Sequence, residues 1–253
     1  MTDIMKTTLD DLWSGAPESD ETFDPTSISH FPEPARRYLE HTIAPGTPLA
    51  SAVRLEMTGQ MRLKEKWLPF EAQQVIRWDR GLIWKAKVKM GLLSIKGSDR
   101  FIDGEGAMRW KLLGLIPVVK ARGPDISRSA VGRLQIESMW LPSVLLSDEV
   151  AWDKAGEDPA RVQAHVSVMG HEATITLEVD EEGRLKSTQM QRWGDPEGGE
   201  FQLYPFGGLA LRERTFQGYT VPTELRVGWY FGTPRFDEEG EFWRATIHSM
   251  TFR

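Results

Sequence analysis

Between Val53 and Leu63 the side chains alternate with a period of two. Val53, Leu55, Met57, Met61 and Leu63 share one parity. Arg54, Glu56, Thr58, Gln60 and Arg62 share the other, and Gly59 alone interrupts the apolar series. Successive side chains of a strand point to opposite faces, so this segment reads as a strand with one dry and one wet face. The pattern recurs along most of the chain. Phe70, Ala72, Ile76 and Trp78 share a parity, as do Leu82, Trp84, Ala86, Val88 and Met90. Lys85, Lys87 and Lys89 then fall on a solvated face. Leu93, Ile95 and Phe101 follow, then Met108, Trp110 and Leu112, leading on to Ile116 and Val118. After residue 150 the series resumes with Val162 to Val168, Ala173 to Val179, Leu225 to Phe231 and Phe242 to Phe252. Turn signals such as Asp79-Arg80-Gly81, Asp103-Gly104 and Met169-Gly170 separate the runs.

Helical periodicity is confined to three places. Met5, Leu9 and Trp13, with Ile4 and Leu12 beside them, make a short amphipathic segment that Asp3 can cap and Gly15 closes. It reads either as a lid laying Trp13 on an apolar opening or as a helix docked outside the sheet. Residues 18–30 read as linker. Pro32 and Pro34 open a helix from Glu33 to Thr42, with Tyr38 and Leu39 on its buried side. The clearest helix spans about 127–141, with Asp125 or Ser127 as its cap and Pro142 as its stop. These features predict a mainly β chain: a large curved antiparallel sheet or half-open barrel. The 127–141 helix packs on its concave face, with one or two N-terminal helices besides. Residues 1–30 form an acidic leader and residues 31–253 one domain.

Composition narrows the partners. Of 37 acids and 31 bases, residues 1–30 hold seven acids and only Lys6, so the remaining chain balances 30 against 30. A neutral body with an acidic leader argues against nucleic-acid binding and against electrostatic attachment to anionic membranes. No run reaches the roughly 18 apolar residues of a membrane span. Cys is absent, which removes disulfides and thiolate chemistry. With no secretory pattern at the N-terminus, the expected address is the cytoplasm. The five histidines form no metal-binding spacing, and Val168 should face His171 across the Met169-Gly170 hairpin while His165 faces Thr174. No metal and no cofactor are expected.

A single mid-chain helix is too little to cover so long a dry face. The residues on that face mix Trp and Met with Gly59, Ala72, Ala86, Ala164 and Ala173, so residual apolar volume is expected between sheet and helix. Arg133, Glu137 and Trp140 form a second stripe on the helix. Arg133 can pair with a ligand carboxylate, Trp140 can stack on a ring or alkyl chain, and a desolvated Glu137 can act as acid or base. The plainer reading of Arg133 and Glu137 is an i,i+4 surface pair. Arg122, Trp110 and Tyr204 complete the candidate ligand-binding set.

The segments Phe31 to Leu39, Gly104-Glu105-Gly106, Ala121-Arg122-Gly123-Pro124, Trp140 to Leu146 and Gly218-Tyr219-Thr220-Val221-Pro222 together carry a resemblance. Over residues 30–252 the chain resembles a bacterial family of uncharacterised proteins. The order helix, strands, helix, strands is similar to LolA-type lipoprotein carriers, which implies an open curved sheet holding lipid chains against helices. The expected function is a carrier or sensor for an apolar or amphipathic small molecule. The alternative is a cofactor-independent isomerase, cyclase or hydrolase working in the same cavity, with Glu137 as its acid or base.

Overall fold

The computed structural model describes residues 4–253. All thirteen strands join one antiparallel sheet. The first six are β1 (Ala52–Leu63), β2 (Lys66–Arg77), β3 (Gly81–Met90), β4 (Leu93–Ile102), β5 (Glu105–Leu112) and β6 (Ile116–Arg122). The second series is β7 (Val150–Lys154), β8 (Arg161–Val168), β9 (His171–Val179), β10 (Leu185–Gly194), β11 (Gln202–Phe216), β12 (Tyr219–Trp229) and β13 (Glu241–Phe252). Each series is a meander of neighbouring hairpins. The two join where β1 pairs with the last strand, β13, leaving β6 and β7 as the sheet edges.

Gly59 sits at that seam, opposite Phe70 on one side and Ala245 on the other. A Cβ at this position would lie 2.0 Å from the Arg244 carbonyl oxygen and 2.9 Å from the Phe70 ring. The gap in the apolar series is therefore a close approach of backbones, not a weakness in the strand.

The described residues also form three α-helices: α1 (Leu9–Ser14), α2 (Glu33–Thr42) and α3 (Pro124–Ile136). α3 links the two edge strands. It touches β3 to β6 on one arm and β8 to β10 on the other, so the sheet curls around it. Its start differs from the sequence expectation. Gly123, at φ 131°, stands at the cap position and Pro124 opens the helix. Neither Asp125 nor Ser127 caps it: Asp125 accepts from Trp193 Nε1 at 2.9 Å and Ser127 Oγ from the Gly106 amide at 2.8 Å. The α-helix stops at Ile136 and tightens into a 3-10 turn over Glu137–Trp140. Leu141 then leaves the helical region, as a residue before proline is pushed to do. A second 3-10 turn follows at Pro142–Leu146 and is tied down at both ends: Ser143 Oγ donates to the Ala50 carbonyl and Trp152 Nε1 to that of Leu145.

α1 docks outside the sheet, which settles the choice left open above. Leu12 and Ile4 pack on Val75, Ile83 and Ile102 of the outer face. Asp3 lies outside the described residues; the cap observed is a reciprocal pair between Thr8 and Asp11. The segment 18–30 is no free linker either, since Phe23 and Ile28 are buried in the main core. Ile116 and Val118 also depart from expectation: on the edge strand β6 nothing covers them and they are exposed.

Candidate functional site

One row of side chains crosses the concave face at right angles to the strands. It runs Leu55, Gln74, Trp84, Asp99 and Met108 across β1 to β5, each directly opposite the next. An amide and a carboxylate thus flank Trp84 on an otherwise apolar surface. α3 lowers Arg133 onto this row. Its guanidinium carbon lies 5.3 Å from the centre of the Trp84 ring. Nη2 reaches Gln74 Oε1 at 3.4 Å, Nη1 reaches Asp99 Oδ2 at 3.5 Å, and Nε donates to Glu137 Oε1 at 2.7 Å. Gln74 Nε2 donates to the other Glu137 oxygen. Trp110 Nε1 donates to Asp99 Oδ1 at 2.8 Å.

The cluster holds its charges by pairing them. Burial pushes the Asp99 carboxyl above the ordinary carboxylate range, against the pull of Arg133 and of the Trp110 hydrogen bond. Burial also works to lower the Arg133 pKa, but the charges of Glu137 and Asp99 outweigh it and hold the guanidinium above its usual value. Removing any one partner would strand a buried charge.

Beside the cluster a pocket of about 420 Å³ opens between α3 and the sheet. Its walls are mainly aromatic and aliphatic, including Trp84, Trp140, Phe206, Trp229 and Trp243. Trp140 is fixed by its Nε1 hydrogen bond to the Pro222 carbonyl, 3.1 Å, and by a tilted contact with Trp243. The polar wall comprises Asp99, Arg133, Glu137 and Arg192, with Arg100, Ser129, Thr188 and Asp195 beside them.

Arg192 differs from Arg133. Its guanidinium stacks on Phe206 at 4.4 Å and on Trp229 at 5.2 Å. Its hydrogen bonds go to Ser129, to the carbonyl at 3.2 Å and to Oγ at 3.5 Å. Among the described residues, no carboxylate lies within salt-bridge distance of it. Burial first, and repulsion from Arg133 second, push its pKa down to about 9, which leaves it a cation at neutral pH.

The structure brings three of the sequence candidates to this pocket: Arg133, Glu137 and Trp140. The first two do form an i,i+4 pair, but a buried one, with Glu137 only 7% exposed. Trp110 stands one step behind, against Trp84 at 5.6 Å. Arg122 is exposed and paired with Glu105 at 2.7 Å, and Tyr204 packs on Trp229 and Tyr230, so both lie off the pocket wall.

Sequence reasoning missed Gln74, Asp99 and Arg192. For two of them a signal existed. Gln74 falls on the parity of Phe70, Ala72 and Ile76, and Asp99 on that of Ile95 and Phe101, so each is a polar group on a dry face. Arg192 carried none. A bulge between Leu185 and Ser187 moves the buried parity of β10 onto Thr188 and Met190, and only that shift turns Arg192 inward. The register places His171 opposite Val168 and His165 opposite Thr174, and the His165 ring bonds to Thr174 and Asp153. Among the described residues, no cluster of three His, Asp or Glu side chains is arranged for a metal ion. No helix there is long and apolar enough to cross a membrane.

No curated protein matches this chain. Among solved structures, a LolA superfamily protein from Nitrosomonas europaea is similar over 87% of this chain and 92% of its own, at 9% identity and a TM-score of 0.49. A protein domain assigned to outer-membrane lipoprotein sorting, from Vibrio parahaemolyticus, is similar over 89% and 93%, at 8% identity and a TM-score of 0.44. A DUF1329 family protein from Desulfovibrio piger covers 91% and 94%, at 13% identity and a TM-score of 0.39. The model of the family of unknown function DUF6920 matches residues 29–252, nearly the whole sheet domain, and the chain belongs to that family.

Proposed function

We propose that the protein is a carrier or sensor that holds an apolar or amphipathic small molecule between the curved sheet and α3, in the cytoplasm. The observation that carries this reading is Arg192: a half-buried cation on the pocket wall, held by aromatic rings and by Ser129, with no salt-bridged carboxylate among the described residues. Ligand sites are mostly apolar with a few placed polar groups, and about 420 Å³ falls in their usual size range. An acidic head group on Arg192 and an alkyl or ring system against Trp140, Trp229 and Trp243 would satisfy both halves of the pocket. Arg133 is excluded from that role because Glu137, Asp99 and Gln74 already engage it.

Native mass spectrometry of freshly purified protein tests the reading. A co-purified amphiphile, or displacement of the anionic dye 1-anilinonaphthalene-8-sulfonate by a long-chain carboxylate, is the expected result. Protein that carries no adduct and binds no such dye would overturn it. Cell fractionation tests the location.

A second reading has one observation in its favour: Glu137 is buried on the pocket wall, where an acid or base of a cofactor-independent isomerase, cyclase or hydrolase would sit. Each of its oxygens already accepts a hydrogen bond from the protein, which makes binding the stronger reading.

A further inference from the structure

Net neutrality of the body conceals a sorting of charge by face. On the outer face of β3 to β6 the register places Lys87 opposite Lys96 and Lys96 opposite Lys111, with Arg109 opposite Lys120 one row away. Lys85 and Lys89 stand on the same face of β3. Like charges directly across strands repel, and a folded sheet normally avoids them. Counter-charge is confined to the β2 side: Glu71 stands opposite Lys87 and pairs with Lys89, and among the described residues none of the other bases named has an ion pair. Sequence alternation assigned such lysines to solvent one strand at a time. Pairing stacks them into a patch.

The hairpin turns bordering this patch are apolar where turns are usually polar. Gly91-Leu92 joins β3 to β4 and Leu113-Gly114-Leu115 joins β5 to β6. The two tips are adjacent, since the Leu113 amide donates to the Ser94 carbonyl at 2.8 Å. Leu92 is fully exposed and Leu115 is 78% exposed, with Leu93, Leu113 and Ile116 exposed beside them. Exposed leucines rimmed by lysines in excess of acids match the chemistry of a lipid interface: apolar side chains enter the acyl boundary and cations meet anionic head groups.

We propose that the β3–β4 and β5–β6 hairpin tips, with Lys87, Lys96 and Lys111, form a docking surface for an anionic phospholipid bilayer. The protein lies on this surface and does not span it. A second copy of the chain is disfavoured as the occupant, because it would bring the same lysines against these. The inference goes beyond the carrier reading and does not depend on what fills the pocket.

Vesicle flotation with the full chain tests it, using phosphatidylcholine alone and phosphatidylcholine mixed with phosphatidylglycerol. The wild-type protein is expected to float with the phosphatidylglycerol vesicles only, and less as salt is raised. Lys87→Gln, Lys96→Gln and Lys111→Gln together should weaken binding on the order of a hundredfold, about fivefold for each lysine. Leu92→Ser with Leu115→Ser should cost at least about tenfold. Neither set touches the core, and unchanged thermal unfolding would establish that both fold. Wild-type protein that floats with neither vesicle overturns the proposal, as does binding that both variants retain in full. Sedimentation adds a further overturning outcome: a dimer that the leucine variant dissociates, with no vesicle binding, would make this face a contact between copies. Flotation without any co-purified amphiphile upholds the docking surface even where the carrier reading fails.

Discussion

The guanidinium of Arg133 sits 5.3 Å above the ring of Trp84, and the two strand neighbours of Trp84, Gln74 and Asp99, turn their oxygens toward it from either side. Helix and sheet are joined at this point by charge as well as by apolar contact. Glu137 completes the arrangement from the helix side. The pairing keeps four polar side chains compatible with a dry face, and it leaves Arg192 without a salt bridge among the described residues.

Arg133→Met should destabilise the fold by about 3–5 kcal/mol, because Glu137 and Asp99 would remain buried without their counter-charge. Glu137→Gln should cost less, about 1–3 kcal/mol, since an amide can still bond to Gln74. The double variant Arg133→Met with Glu137→Leu should recover part of the loss. Urea denaturation midpoints measure all three, and an Arg133→Met protein as stable as the wild type would refute the charge-balance account.

Asp99 gives the fold a pH signature. Its pKa is raised in the folded state, so the native protein holds a proton that the unfolded chain releases first. The contribution is therefore complete below the ordinary Asp range and is lost as pH rises through the raised value. Stability measured against pH should fall over that window, and Asp99→Asn should flatten this fall. A slope that is identical in both proteins would contradict the assignment.

Arg192→Met should separate the two halves of the pocket. Affinity for a long-chain carboxylate is expected to drop about tenfold or more, the scale of one charged hydrogen bond. Affinity for the alcohol of equal chain length should change little, because the aromatic walls are untouched. Titration calorimetry with the two ligands reads the difference. Equal losses for both would mean that Arg192 shapes the pocket without recognising charge.

Gly59→Ala tests the seam between the two meanders. The new methyl would meet the Arg244 carbonyl oxygen at 2.0 Å, so β1 and β13 must separate locally. A loss of about 1–3 kcal/mol is expected, as for overpacking elsewhere. Hydrogen exchange should show it as faster exchange confined to β1, β2 and β13.

Much of the fold was legible because strand alternation is a local property. Val53 to Met57, Leu82 to Val88 and Val162 to Val168 announce their dry faces within a few residues, and the structure keeps them; Leu63 at the end of β1 is exposed, and Ile83 on the wet parity of β3 is buried by α1. The central helix was legible for the same reason, apart from its cap, where a left-handed Gly123 took the place of a side-chain acceptor. The pocket was harder. Arg133 and Glu137 were visible as neighbours on a helix, but a sequence cannot show that their face is covered. Arg192 was hidden by a bulge, which changes parity without leaving a mark in hydrophobicity.

By itself, then, the sequence determined where most strands lie, which parity is dry in most of them, and that so little helix must serve so large a sheet. The pleat imposes these facts over a few residues at a time. Tertiary structure alone decided which strands are neighbours. It paired β1 with β13 across the length of the chain, aligned Gln74, Trp84 and Asp99 into one row beneath Arg133, and gathered Lys87, Lys96 and Lys111 on a single outer face. Those are matters of register between strands, and register is fixed only when the whole sheet closes on its core.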